Sequence, residues 1–209
     1  MMFTLSALSA FIMIVIGLFL IPGPAVLLTV TRTVQGGRKA GIVAGLGLAT
    51  GDLVHTLFAA AGLSAILLTS ALAFNIVKFA GAAYLLYLGI RAMLEKPSDP
   101  QLSQVSPATS LQTYGQAILV EMLNPKTALF FLAFLPQFVH AEQGAVFFQF
   151  LTLGLIFVVL GAVYTTLIAC CVPVLGRLVK RVSGFGRWSG KIVGAIYIAL
   201  GLKVAFQSR

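Results

Sequence analysis

A proline inside an apolar run long enough to cross a membrane is the feature that most restricts this chain. Residues 121–138 are rich in Leu, Phe and Ala, yet they hold Glu121, Asn124, Pro125 and Lys126 close together. Pro125 has no N–H, so a continuous helix would leave the Glu121 carbonyl without its partner and press the ring against it. Lipid satisfies no such group, so a break of this kind must face protein, water or a ligand. Charged side chains at that depth are costly and mark substrate or ion paths. The plainer reading is a proline kink with a structural Glu121–Lys126 pair. A second interruption, Pro22-Gly23-Pro24, lies in the first apolar run. There the two prolines would free the carbonyls of Leu18 and Leu20, and Gly23 permits backbone angles closed to other residues.

Composition decides the class around these breaks. Of 209 residues, 59% are hydrophobic and only 9% charged, with a mean hydropathy of +1.04. A soluble domain of this size has no interior large enough for that much apolar surface, so the chain reads as an integral membrane protein. A net charge of +9 would suit nucleic acid. Here the basic residues fall in short loops between apolar spans, which is the pattern of cytoplasmic loops, and nucleic acid is excluded as a partner. The first run has no basic residue before it and no small-residue cleavage site after it, so it reads as a retained span rather than a signal peptide. Cys170 and Cys171 are adjacent in an apolar stretch and read as two buried structural thiols, not a disulfide framework.

Spans of roughly 20 residues fit a bilayer. They are expected over residues 3–31, 41–68, 76–94, 113–139, 145–172 and 190–206. A loop with Arg32, Arg38 and Lys39 separates the first two, and a tight turn with His140 and Glu142 separates the fourth and fifth. The second span is dotted with Gly41, Gly45, Gly47, Ala49 and Gly51, small residues that let helices approach closely. Residues 95–112 are polar, with Pro97, Pro100 and Pro107, and read as a connector between halves. Basic residues favour one side: Arg32, Arg38, Lys39, Arg91, Lys96, Arg177, Lys180, Arg181, Arg187 and Lys191, against Lys78, Lys203 and Arg209. The rich side is cytoplasmic, so both termini are expected outside.

The chain also repeats. Lys78, Gly81 and Tyr84 near the end of the first half match Lys191, Gly194 and Tyr197 near the end of the second, and Pro22 matches Pro125. Each half holds three spans, so the halves cross in opposite senses. The expected fold is all-α, six transmembrane helices in two inverted three-helix repeats, with helices 1 and 4 broken at their prolines. One transporter domain covers residues 1–209, with repeats at 1–94 and 113–209; a homodimer is compatible with it.

Several of these stretches resemble a known family. Pro22-Gly23-Pro24, then Gly36-Gly37-Arg38-Lys39-Ala40-Gly41, then Gly51-Asp52-Leu53-Val54-His55 are similar to the first half of the lysine-exporter (LysE) superfamily. Asn124-Pro125-Lys126, Phe130-Phe131 and Pro136-Gln137-Phe138 are similar to its second half. The nearer branch is the threonine/homoserine efflux (RhtB-type) exporters, and the similarity covers essentially the whole chain. The resemblance implies an exporter of amino acids or small derivatives in the bacterial inner membrane, driven by the proton gradient. Some relatives carry an acidic residue in the fifth span, where this chain has Leu160-Gly161-Ala162.

The chemistry of such a substrate can be read from the residues. A zwitterion needs a cationic and an anionic partner in low dielectric. Lys126 and the helix N-terminal N–H groups beyond Pro24 and Pro125 can receive a carboxylate, with Pro22, Gly23 and Asn124 shaping the breaks. Asp52 or Glu121 can receive an ammonium. A buried carboxylate with no partner favours its neutral form, so Asp52 can also bind and release protons. His55, at i+3 from Asp52, can tune or relay that proton, or simply pack with its ring hydrogen-bonded. Tyr84, Tyr87 and Tyr164 read as packing or interface aromatics, and Lys78 and Lys191 as residues that snorkel.

Other function classes fit less well. A thiol-linked membrane oxidoreductase on a six-helix inverted repeat would want one cysteine in each repeat, and both are in the second half. A membrane enzyme would need a metal-ligand or nucleophile–base cluster, and His55 and His140 fall in different halves. No cofactor or metal site is indicated. A channel has no use for two carboxylates and a lysine within its spans.

Overall fold

The computed structural model describes residues 3–20, 23–69 and 108–179, with single positions between 72 and 94 and between 195 and 202. Pro22, Lys78, Tyr84, Lys191, Gly194, Tyr197, the connector at 95–107 and most of the third and sixth expected spans lie outside the described residues. The described positions between 72 and 94 are helical.

Every regular element among the described residues is helical. Helix α1 is Leu5–Leu20, started by Thr4, whose hydroxyl accepts from the Ala7 N–H at 3.2 Å. Helix α2 is Pro24–Phe58 and continues through a π-helical turn, Ala59–Leu63, into α3, Ser64–Thr69. Helix α4 is Ser110–Met122, α5 is Pro125–Leu129, and the chain then widens through a π-helical turn, Phe130–Phe134, and tightens in a 3₁₀ turn, Leu135–Phe138. Helix α6 is Val146–Val179. Pro24–Ile66, although it turns back at Gly37, holds an apolar run long enough to cross a membrane, as does Val146–Val172, and the pair Ser110–Met122 with Pro125–Phe138, bent by 43°, makes a third crossing when read as one broken span.

Within α2 the chain folds back on itself. Gly37 has φ 74° and ψ −175°, a left-handed φ that glycine adopts without a Cβ penalty. A Cβ built on Gly41 would lie 2.0 Å from the Thr33 hydroxyl. In a continuous helix those residues would stand about 12 Å apart along the axis. Ala25 and Leu28 pack against the cluster of Ala44, Leu48 and Ala117. The loop expected from Arg32 to Ala40 therefore shrinks to a turn at Gly37, because nothing between Pro24 and Gly36 breaks a helix. Arg38 and Lys39 are exposed at that turn. Arg32 is not a loop residue: it is buried, and its guanidinium donates to the side-chain oxygens of Gln116 and Gln35.

The described helices pack through small residues. A Cβ on Gly45 would meet the Thr165 hydroxyl at 2.7 Å, and one on Gly51 would meet Glu121 Cβ at 2.6 Å. These contacts hold α6 and α4 against α2. The start of α4 is set by a capping box in which Thr109 and Gln112 bond each other's backbone N–H, at 3.2 and 3.0 Å. That pattern ends the polar connector earlier than residue 112.

An apolar core joins α1, the π-helical turns and α6. Phe11, Val15, Leu18, Phe130, Phe134, Phe150 and Phe157 are among its members, and Phe130 and Phe157 stack at 4.8 Å. The outer faces are also apolar: Met13, Ile16, Leu119, Val159, Val163 and Leu167 are exposed. Lipid is the solvent in which such faces carry no cost. Cys170 and Cys171 are free and exposed on α6, which corrects their reading as buried thiols. The turn before α6 is held by Gln149, which is fully buried and bonds the His140 N–H and the His140 and Gly144 carbonyls at 2.7–3.0 Å.

Candidate functional site

The two proline breaks meet at one place. Pro125 opens α5 as its first residue, and Asn124 caps it by accepting from the Lys126 N–H at 3.1 Å. Proline fits there because the first helical N–H needs no partner inside the helix. Pro24 opens α2 in the same way, after an extended Gly23 that supplies no side-chain cap. The first-turn N–H groups of Ala25 and Val26 have no intrahelical partner, and both residues line the cavity described below.

The carbonyls left over by proline chemistry are taken up by distant side chains. Lys126 Nζ donates to the Leu18 carbonyl oxygen at 3.2 Å. His55 Nε2 lies 3.1 Å from the Glu121 carbonyl oxygen, which also accepts from the Asn124 N–H at 3.0 Å. The His55 ring stacks on Phe131 at 5.7 Å. His55 thus shares a helical turn with Asp52, while its hydrogen bond goes to the break.

Around the break lies a cavity lined by Phe19, Leu48, Asp52, Glu121, Lys126 and Tyr164, with Ala25, Val26, Asn124, Thr127, Gly161 and Thr165 between them. Its volume is about 30 Å³, room for one or two waters. Glu121 and Asp52 are 3% and 5% exposed. Glu121 Oε1 accepts from Asn124 Nδ2 at 3.1 Å and from the Thr127 hydroxyl. Glu121 Oε2 and Asp52 Oδ1 are buried without a hydrogen-bond donor. The two carboxyls approach within hydrogen-bonding reach of each other, and both act electrostatically on Lys126. A bond between two carboxyls requires a proton on one of them, since ionised carboxylates only accept.

The structure therefore gathers Asp52, Glu121, Asn124 and Lys126, named from the sequence, at one cavity. A Cβ built on Gly23 would lie 3.5 Å from Lys126 Nζ, so this glycine borders the site. Pro22 is outside the described residues. Three contributors escaped the sequence reading. Thr127 lies one turn beyond Asn124, on the face that Glu121 approaches. Tyr164, read as a packing aromatic, lines the cavity and stacks on Phe19 at 5.5 Å. Gly161, noted for the acid it lacks, faces the site: a Cβ there would lie 3.1 Å from Asp52 Oδ2.

Ionisable side chains buried among apolar helices, around a cavity at a paired helix break, define a membrane transporter. The chain belongs to the LysE type translocator family, whose profile matches residues 15–208. It is a translocator and not an enzyme, which removes the thiol oxidoreductase alternative. It is 32% identical over 210 residues to the uncharacterized membrane protein YrhP of Bacillus subtilis, covering 96% of this chain and 99% of that one. It is 30% identical over 196 residues to an uncharacterized membrane protein of Pseudomonas aeruginosa, covering 91% of each. A leucine efflux protein of Klebsiella pneumoniae is 25% identical over 191 residues, covering 90% of this chain and 89% of its own. No solved structure matches the chain.

Proposed function

We propose that this protein exports amino acids or small amino-acid derivatives across the bacterial inner membrane, in exchange for protons that enter the cell. The observation that carries the reading is the meeting of Asp52, Glu121 and Lys126 at one buried cavity beside the helix breaks. A zwitterion finds there a lysine for its carboxylate and two carboxyls for its ammonium. The N-terminus of α2 adds the Ala25 and Val26 N–H groups, which suit the same carboxylate. The substrate named for the Klebsiella relative supports an amino acid as cargo. The small volume of the cavity supports a compact state, from which helices must part before cargo enters.

In this reading Asp52 is the proton carrier, with Glu121 beside it, and Gly23, Pro24, Asn124, Pro125 and Lys126 form the substrate site together with Pro22. His55 secures the break beside them. The full architecture is six spans in two inverted repeats, with both termini outside and a homodimer as the compatible assembly. Internal accumulation of each common L-amino acid, compared in cells with and without the protein, tests the reading. Lower accumulation of one or a few, abolished by an uncoupler, is expected; equal accumulation of all of them would refute it.

A further inference from the structure

Two buried acceptor atoms are left over at the cavity. Glu121 Oε1 is fully used by Asn124 and Thr127, whereas Glu121 Oε2 and Asp52 Oδ1 have no donor. Leaving a buried acceptor without a partner is costly, and more so for a charged one. The partner is therefore a donor; a water fits the cavity, but only a cation also offsets the charge. Lys126 brings one positive charge to two carboxyls.

The surrounding elements offer no second cation among the described residues. From α1 the site meets Phe19 and the Leu18 carbonyl, the latter already holding Lys126. On α2, His55 is engaged at the Glu121 carbonyl. From α6 come Tyr164, Thr165 and Gly161. Arg32 is directed to Gln116, more than one turn along α4 from Glu121. Two monovalent cations that the exporter reading supplies suit the place: a proton shared by the carboxyls, or an ammonium group between them. They cannot be there together. A shared proton needs the two carboxyls in contact, and contact leaves no room for an ammonium.

We infer that the Asp52–Glu121 carboxyl pair is one cation subsite, occupied in turn by a proton and by the α-ammonium group of the amino acid, so that loading one expels the other. The inference rests on the exporter reading and adds its coupling rule. A proton from outside displaces the ammonium, which leaves as part of the intact zwitterion. The same proton leaves to the cytoplasm when the next amino acid binds. One proton enters for each zwitterion exported, and one positive charge moves inward with it. No separate proton path is needed.

The test is counterflow in proteoliposomes at equal pH on both sides, between about pH 6 and 9, with each L-amino acid that the cell screen shows to be exported. If the two cations share a subsite, the apparent KM rises by up to about tenfold for each pH unit lowered while the maximal rate stays constant. The 2-hydroxy acid with the same side chain, which lacks the ammonium, shows no such rise. Asp52→Asn removes the pH dependence of KM, and Asp52→Glu retains it. The wild-type profile decides even if Asp52→Asn fails to fold. A KM that ignores pH, or a pH effect confined to the maximal rate, overturns the shared subsite and leaves the exporter reading intact. If no amino acid is exported at all, both fall.

Discussion

Lys126 donates its ammonium to the Leu18 carbonyl oxygen at 3.2 Å, and so ties the end of α1 to the first turn beyond the second helix break. Leu18 is the residue whose carbonyl a proline at position 22 cannot serve. The lysine that suits a substrate carboxylate therefore also holds the two breaks together. Lys126→Met is expected to abolish measurable export and to expose the Leu18 carbonyl to an apolar setting. The accompanying loss of stability is about 1–3 kcal/mol, readable as a lower unfolding temperature in detergent. Normal export by a well-expressed variant would exclude the carboxylate role, and an unchanged unfolding temperature the tie to Leu18.

The Glu121 carbonyl gives the corresponding test on the other side. His55 reaches it from α2 at 3.1 Å. Pro125→Ala restores an N–H that competes for this carbonyl and favours closing the 43° bend. A helix run straight through position 125 becomes easier by up to about 3 kcal/mol, yet export should drop at least about tenfold, a barrier change near 1.4 kcal/mol. His55→Gln keeps a donor and should retain most activity, while His55→Leu should lose stability. Transport by Pro125→Ala at the wild-type rate would make the break purely structural.

Thr127 positions Glu121 rather than touching cargo in this state. Thr127→Val removes the hydroxyl that donates to Glu121 Oε1; Thr127→Ser keeps it. The pH profile of efflux should move in the valine variant and return in the serine variant. A profile unchanged by Thr127→Val would remove the hydroxyl from the coupling apparatus.

Gly161 is the place where α6 makes room for Asp52. A Cβ there would lie 3.1 Å from Asp52 Oδ2 and 3.4 Å from Phe19 Cζ. Gly161→Ala should slow export several-fold with normal expression, and Gly161→Val should abolish it. The overpacking cost is about 1–3 kcal/mol. Wild-type efflux in Gly161→Val would show that the carboxyl is free to stand elsewhere.

The turn before α6 carries a stability test away from the site. Ala145 has φ 51°, where a Cβ costs about 1–2 kcal/mol. Ala145→Gly should raise the unfolding temperature, and Gln149→Leu should lower it by removing three hydrogen bonds. Neither should alter substrate preference. A lower unfolding temperature for Ala145→Gly would contradict the strain assigned to that residue.

Sequence alone determined what depends on local chemistry. Apolar content and the length of the runs required membrane helices. The lack of an N–H in proline marked the Glu121 and Leu18 carbonyls as groups in need of partners, and Asp52, Glu121 and Lys126 stood out because charges inside such runs are rare. Thr109 and Gln112 carried a readable helix start that the polar connector obscured. Tertiary structure decided which group meets which. Lys126 finds Leu18 across 108 positions and His55 finds Glu121 across 66, and no local period encodes either pairing. Thr127, Tyr164 and Gly161 enter the site because of the angles at which α5 and α6 pack against α2. Arg32 looked like a loop cation because its neighbours are polar; it is buried because Gly37, five residues on, turns the chain back and closes α4 over it.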